Sequence, residues 1–135
     1  MEYLGGCLCG GTRYTLTSIP YGLNNCHCID CQRASGAPFV TWGSVAANDL
    51  RVLTGQPRKV PHAGRVRTFA SCCGTPLFFE EKNEAPEVDV AIATLDLPQR
   101  FLPEKNMWTE DRLPWVQLDP GIPSFLQSSR DSDAP

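Results

Sequence analysis

Seven cysteines in 135 residues fall into three tight groups, and this grouping constrains the fold more than any other feature of the chain. The groups are Cys7-Leu8-Cys9 followed by Gly10-Gly11, then Cys26-His27-Cys28-Ile29-Asp30-Cys31, then Cys72-Cys73-Gly74. An odd number of thiols cannot complete a disulfide framework. The start, Met1 to Gly6, has neither a basic region nor an apolar stretch of signal length, and no later run has the roughly 18 apolar residues of a membrane span. A soluble, cytoplasmic setting is therefore expected, in which clustered thiols bind metal or do redox chemistry more often than they form disulfides.

Glycine-rich turns let two thiolates converge on one tetrahedral ion, and backbone N–H groups in such turns can donate to the sulfurs. Zinc is the expected metal, with iron compatible with the same ligands. Cys26, Cys28 and Cys31 are enough to fill three positions by themselves, leaving a fourth for water or substrate. Cys7 and Cys9 supply two ligands and must borrow, and Cys72-Cys73 is the pair that remains. Two alternatives stay open: a closed site made by Cys26, Cys28 and Cys31 with His27, and a purely structural role for every cysteine. A redox pair at Cys72-Cys73 carries little weight, because a disulfide between adjacent residues is strained.

Twelve prolines and eleven glycines leave few windows in which a long helix can propagate. Gly11–Thr17, Pro38–Val45, Val66–Ala70, Pro76–Glu80 and Glu87–Leu95 read as strands between turns. Cys28–Ser35 is expected to form a turn of helix before Gly36. The segment Leu97–Pro123, rich in proline and carrying Phe101, Met107, Trp108, Leu113 and Trp115, reads as an irregular strip held by aromatics. One domain over residues 2–126 is expected, with a polar, disordered tail at 127–135. A net charge of −3 and a pI near 5.3 give no general attraction to phosphate backbones, so nucleic acid is not an expected partner.

Gly6-Cys7-Leu8-Cys9-Gly10, the run Cys26 to Ala37, Arg67-Thr68-Phe69 and Cys73-Gly74-Thr75-Pro76-Leu77, with Trp108 to Val116 as a weaker match, together resemble the glutathione-dependent formaldehyde-activating enzyme family, which also includes centromere protein V. The resemblance implies a mainly β fold of the Mss4-like or β-tent type, built of short antiparallel strands with little helix. It implies two zinc ions per chain, with Cys7, Cys9 and Cys73 as structural ligands and Cys26, Cys28 and Cys31 as ligands of a catalytic ion. One position departs from the family pattern Phe-Cys-x-x-Cys-Gly: Ala70 stands where the first cysteine belongs, and Cys72 is the expected substitute. Adjacent cysteines in a strand point to opposite faces, so this requires the backbone to bend at Cys72-Cys73.

The implied activity is that of a carbon–sulfur lyase resembling S-(hydroxymethyl)glutathione synthase. A zinc with three thiolates has a formal charge of −1 and suits a soft fourth ligand better than it suits ionising water. The thiol of glutathione or a similar molecule fits that place, with a small aldehyde such as formaldehyde as its co-substrate. Arg33 is a candidate for offsetting the charge or gripping a carboxylate of the tripeptide, and equally a candidate for a solvated surface residue. His62 is expected to be exposed. Arg51, Arg58, Lys59, Arg65 and Arg67 read chiefly as solvated strand faces. Trp42, Trp108 and Trp115 either wall a pocket or pack a core. A zinc scaffold that binds a protein or nucleic-acid partner without catalysis is the competing function.

Overall fold

The computed structural model describes residues 1–82 and 86–129. Its strands are β1 (Tyr3–Gly6), β2 (Arg13–Leu16), β3 (Tyr21–Cys26), β4 (Val40–Ala46), β5 (Leu50–Thr54), β6 (Arg58–His62), β7 (Arg65–Phe69), β8 (Pro76–Glu81), β9 (Glu87–Ala91) and β10 (Lys105–Met107), with one helix, α1 (Ile29–Ser35). The fold is mainly β, of the Mss4-like kind. The chain divides into two compact units, Met1–Tyr21 with Gly43–Arg100, and Gly22–Trp42 with the segment from Phe101 onward. Among the described residues no helix is long and apolar enough to cross a membrane.

In the first unit β1, β2 and β5 form an antiparallel sheet, and β6 to β9 form consecutive antiparallel neighbours. The two sets meet where Tyr14 of β2 stands edge-on to Phe78 of β8, with ring centroids 5.0 Å apart. Tyr14, Leu16, Val45, Leu77 and Val90 are fully enclosed there. Tyr14 is long enough to need its polar end satisfied, and its hydroxyl lies 2.7 Å from Thr94 Oγ1. Gly5 is required opposite it, since a Cβ at that position would lie 2.5 Å from the Tyr14 ring and hydroxyl. The β6–β7 hairpin turns through Ala63 and Gly64, both at positive φ, which is the two-residue loop whose twist matches the flanking strands.

In the second unit β3 lies between β10 and β4. β10 runs parallel to β3, pairing Met107 with Cys26, an exception to the expected antiparallel pattern. Asparagine side chains lock this pairing. Asn25 Nδ2 donates to Asn106 Oδ1 at 3.2 Å, and Thr41 Oγ1 donates to Asn25 Oδ1 at 2.6 Å.

Four expected strands appear with shifted ends, while Glu87–Leu95 needs correction. Its last residues form a 3₁₀ turn at Ile92–Thr94, closed by Thr94 Oγ1 donating to Ala91 O. The strip Leu97–Pro123 is irregular except for β10 and two 3₁₀ turns, Pro98–Arg100 and Thr109–Asp111. Phe101 and Val116 bury themselves in it, but Trp115 is exposed, so packing does not account for that residue. In the polar tail, Gln127 accepts from Trp108 N at 3.0 Å, and residues 130–135 lie outside the described residues.

Candidate metal centres

The first unit gathers four cysteines. The Sγ atoms of Cys7, Cys9, Cys72 and Cys73 all lie within 4.8 Å of one another. Cys7 and Cys9 sit on a turn between β1 and β2, closed by Cys7 N donating to Thr12 O and Gly10 N donating to Cys7 O. Thr12 N donates to Cys7 Sγ at 3.2 Å and Gly11 N to Cys9 Sγ at 3.4 Å. A second turn, between β7 and β8, is built alike: Gly74 N donates to Ala70 O at 2.7 Å and Ala70 N to Thr75 O at 2.9 Å. Gly10 and Gly74 both take φ of 80°, a left-handed conformation in which glycine is at ease.

This second turn resolves the problem of adjacent cysteines. Residues 71–73 are in a turn and not in a strand, so the Cys72 and Cys73 sulfurs reach the same cluster. Ala70 keeps the backbone bonds of the turn while contributing no sulfur, and Cys72 lies 3.6 Å from Cys7 Sγ and 3.3 Å from Cys9 Sγ. A tetrahedral ion with bonds of about 2.3 Å to sulfur has sulfur–sulfur edges of about 3.8 Å. The Cys7–Cys9 separation of 3.7 Å and the two Cys72 separations fall slightly inside that value, so the donor set fits zinc. Gly11 leaves room for it, since a Cβ there would come within 3.1 Å of Cys72 Sγ.

Local fields differ within the cluster. The Thr12 N–H lowers the Cys7 thiol pKa against burial. The Gly11 N–H lowers that of Cys9 but is outweighed by the sulfurs of Cys72, Cys7 and Cys73, which push it up to about 12. The Thr75 hydroxyl, 3.2 Å from Cys73 Sγ, leads the interactions that bring Cys73 down to about 6. Four thiols at this distance resist joint deprotonation unless a cation is present to balance them.

The second unit gathers three. Cys26 ends β3, Cys28 caps the N-terminus of α1, and Cys31 lies in its first turn, with their Sγ atoms within 4.8 Å of one another. Cys28 Sγ accepts from Cys31 N at 3.3 Å, doing for this short helix what a serine cap does elsewhere. Gly36, in the left-handed conformation, stops the helix by donating to Gln32 O. Cys26 and Cys31 are buried and Cys28 is half-exposed. The sulfurs of Cys28 and Cys31, together with burial, raise the Cys26 thiol pKa far above its ordinary value. Cys28 is lowered by Cys26, but Cys31 and burial outweigh this and leave it raised.

His27 does not join either cluster. It is 1% exposed, and its ring lies tilted at 38° to that of Phe39 with centroids 4.8 Å apart and the Asn106 side chain acting on it. Burial lowers its pKa. Arg33 is exposed near the end of α1, and no hydrogen bond or ion pair joins it to the cysteines. His62 is exposed as expected. A cavity of about 240 Å³ in the first unit, lined by Leu50, Val52, Lys59, Thr68 and Phe78 among others, includes no cysteine.

Some contributing residues escape a reading based on cysteines alone. Gln32 Nε2 donates to His27 O at 2.7 Å and to Asp111 O at 2.9 Å, tying α1 to the cysteine segment and to the C-terminal strip. Thr12 and Thr75 serve the first cluster. The signal for the threonines was present in the sequence as the repeated string Cys-Gly-(Gly)-Thr, at Cys9–Thr12 and Cys73–Thr75.

A profile of the glutathione-dependent formaldehyde-activating enzyme family matches residues 2–111. The chain belongs to this family. No curated protein matches it. A crystal structure of a protein from Rhodobacter sphaeroides, 20% identical, superimposes with a TM-score of 0.56 over 93% of this chain and 100% of the other, a likeness of fold. For a member of the glutathione-dependent formaldehyde-activating family, two cysteine clusters able to hold metal, one with four sulfurs and one with three, are the principal chemical feature.

Proposed function

We propose that the protein is a zinc-dependent carbon–sulfur lyase that joins a small aldehyde such as formaldehyde to a glutathione-like thiol, or releases it. The observation that carries this reading is the three-sulfur cluster of Cys26, Cys28 and Cys31, which among the described residues has no fourth protein ligand. In this reading Cys7, Cys9, Cys72 and Cys73 hold a structural ion, and the open cluster holds the catalytic one. Bound there, the ion would supply a soft Lewis-acid position that favours the thiolate form of an incoming thiol.

The chain's own residues set the conditions. Buried Cys26 and Cys31 anchor the cluster, and half-exposed Cys28 marks the side open to solvent. Arg33, exposed on α1, is the proposed grip for a carboxylate of the thiol substrate. In the synthetic direction a bond forms between the thiol sulfur and the aldehyde carbon. The carbonyl electron pair moves to oxygen, which gains the thiol proton, and nothing is oxidised or reduced. No protein nucleophile is required. An odd number of cysteines gathered into two clusters able to hold metal suits a reducing compartment such as the cytoplasm.

Native mass spectrometry with metal counting, with and without glutathione, tests the proposal. Two zinc ions per chain and a retained tripeptide support it. Closed sites that ignore small thiols favour a binding scaffold. Turnover of a thiol–aldehyde adduct should vanish in Cys28→Ala, and unchanged turnover in that variant sinks the assignment.

A further inference from the structure

The three sulfurs of the open cluster are not equivalent. Cys28 Sγ accepts a backbone N–H, from Cys31 at 3.3 Å. Cys31 Sγ accepts a side-chain N–H, from the indole of Trp42 at 3.4 Å, in a buried contact. Among the described residues Cys26 Sγ accepts none. Trp42 lies in β4 and is 6% exposed, so its indole does not exchange this bond for one to solvent. An indole nitrogen donates and never accepts, which fixes the direction of the bond: Cys31 offers a lone pair to Trp42. When the acceptor is a metal-bound thiolate such a bond is charge-assisted and draws electron density from the sulfur. The backbone donor to Cys28 comes with any helix capped in this way. The indole donor depends on one residue type, since phenylalanine would fill much of the same space without the N–H.

We infer that Trp42 is a positioning residue of the open metal centre: its indole N–H orients the Cys31 sulfur and reduces its donation, leaving Cys26 as the strongest donor of the three. This rests on the reading of Cys26, Cys28 and Cys31 as metal ligands. A weaker total donation favours acceptance of a fourth, anionic sulfur, so the indole contributes to the preference for a thiol substrate.

The test uses the unmodified protein loaded with a spin-active cadmium isotope in place of zinc. The chain has three tryptophans, Trp42, Trp108 and Trp115, and so three indole N–H signals. One of them should be protected from solvent exchange and split by coupling to cadmium across the hydrogen bond. The splitting should collapse with a spin-silent isotope, and the signal should be missing in Trp42→Phe. A sulfur-bound cadmium resonance for this centre without any coupled indole overturns the inference and leaves the metal site standing. Absence of that cadmium resonance overturns both. In cobalt-loaded Trp42→Phe the sulfur-to-metal charge-transfer band should move to lower energy and metal loss to a chelator should quicken about tenfold; an unchanged band and rate count against the role. If Trp42→Phe does not fold, the isotope experiment on the unmodified protein decides alone.

Discussion

Replacing Cys72 by alanine should weaken metal binding at the four-sulfur centre by about two orders of magnitude. Cys72 lies 3.6 Å from Cys7 Sγ and 3.3 Å from Cys9 Sγ, close to the edge lengths of a filled tetrahedron. Structural zinc held by four ligands is worth about 10–16 kcal/mol. An equal share is about 3 kcal/mol per sulfur, and each 1.4 kcal/mol is roughly tenfold in Kd, which gives a loss of about 100-fold. The same change should appear as stability. At free zinc about 100 times the Kd the ion adds about 2.7 kcal/mol, and at zinc equal to the weakened Kd it adds only ~0.4 kcal/mol. Competition with a chromogenic chelator reads the affinity, and denaturant unfolding at fixed zinc reads the stability. Cys73→Ala should behave alike. If Cys72→Ala keeps zinc with unchanged affinity, Cys72 is a bystander and the centre is made by Cys7, Cys9 and Cys73 with a ligand from elsewhere.

Other perturbations probe the frame around the centres. Gly5→Ala would place a Cβ 2.5 Å from the enclosed Tyr14 ring and 2.7 Å from Thr94 O, so a loss of about 2–3 kcal/mol is expected in denaturant titration; a loss under about 0.5 kcal/mol contradicts so close an approach. Ala63→Gly should stabilise the hairpin by about 0.5–1 kcal/mol, seen as a higher Tm, because Ala63 is held at φ of 52°; no gain would mean that the turn relaxes without cost. Arg13 grips Asp96 through two bonds, and these hold the Asp96 carboxyl below its usual range. A lowered carboxyl pKa stabilises the fold above the unfolded value near 4, and that contribution is lost as pH falls through the folded value. With the pair partly exposed, Arg13→Gln should cost about 0.5 kcal/mol at neutral pH, and the difference from the unmodified protein should shrink as pH falls below the ordinary carboxyl range; a gap constant with pH removes the ion pair as its cause.

The parts of this fold that were readable from sequence are those in which local chemistry decides. Cysteine spacing groups Cys26, Cys28 and Cys31, and Cys7 with Cys9, and the structure brings these sulfurs together. Gly36 marks the end of α1, and the β-branched and aromatic residues of Pro76–Glu80 and Val66–Ala70 mark β8 and β7 to within a residue at each end. What escaped depends on distant partners. β10 is three residues long between proline-rich segments and exists through its pairing with β3 and the Asn25–Asn106 bond. β6 is wholly exposed and carries Pro61, so it has neither a buried face nor a full set of donors to announce it. In the sequence Cys72 falls to the four-sulfur cluster by elimination and by the departure at Ala70. The bend that makes it possible follows from the Ala70–Gly74 and Ala70–Thr75 backbone bonds, which no spacing reveals. The Trp42 bond to Cys31 is of the same kind, joining a strand and a helix through side-chain directions.

X-ray absorption at the zinc edge addresses the central claim, that one centre is closed by four thiolates and the other left open with three. Four sulfurs on one ion and three on the other average about 3.5 per zinc in the fully loaded protein. Addition of glutathione should raise that average to about 4, with the gain in sulfur scattering lost in Cys28→Ala. An average that starts at about 4, or one that does not respond to the thiol, contradicts the open three-thiolate site.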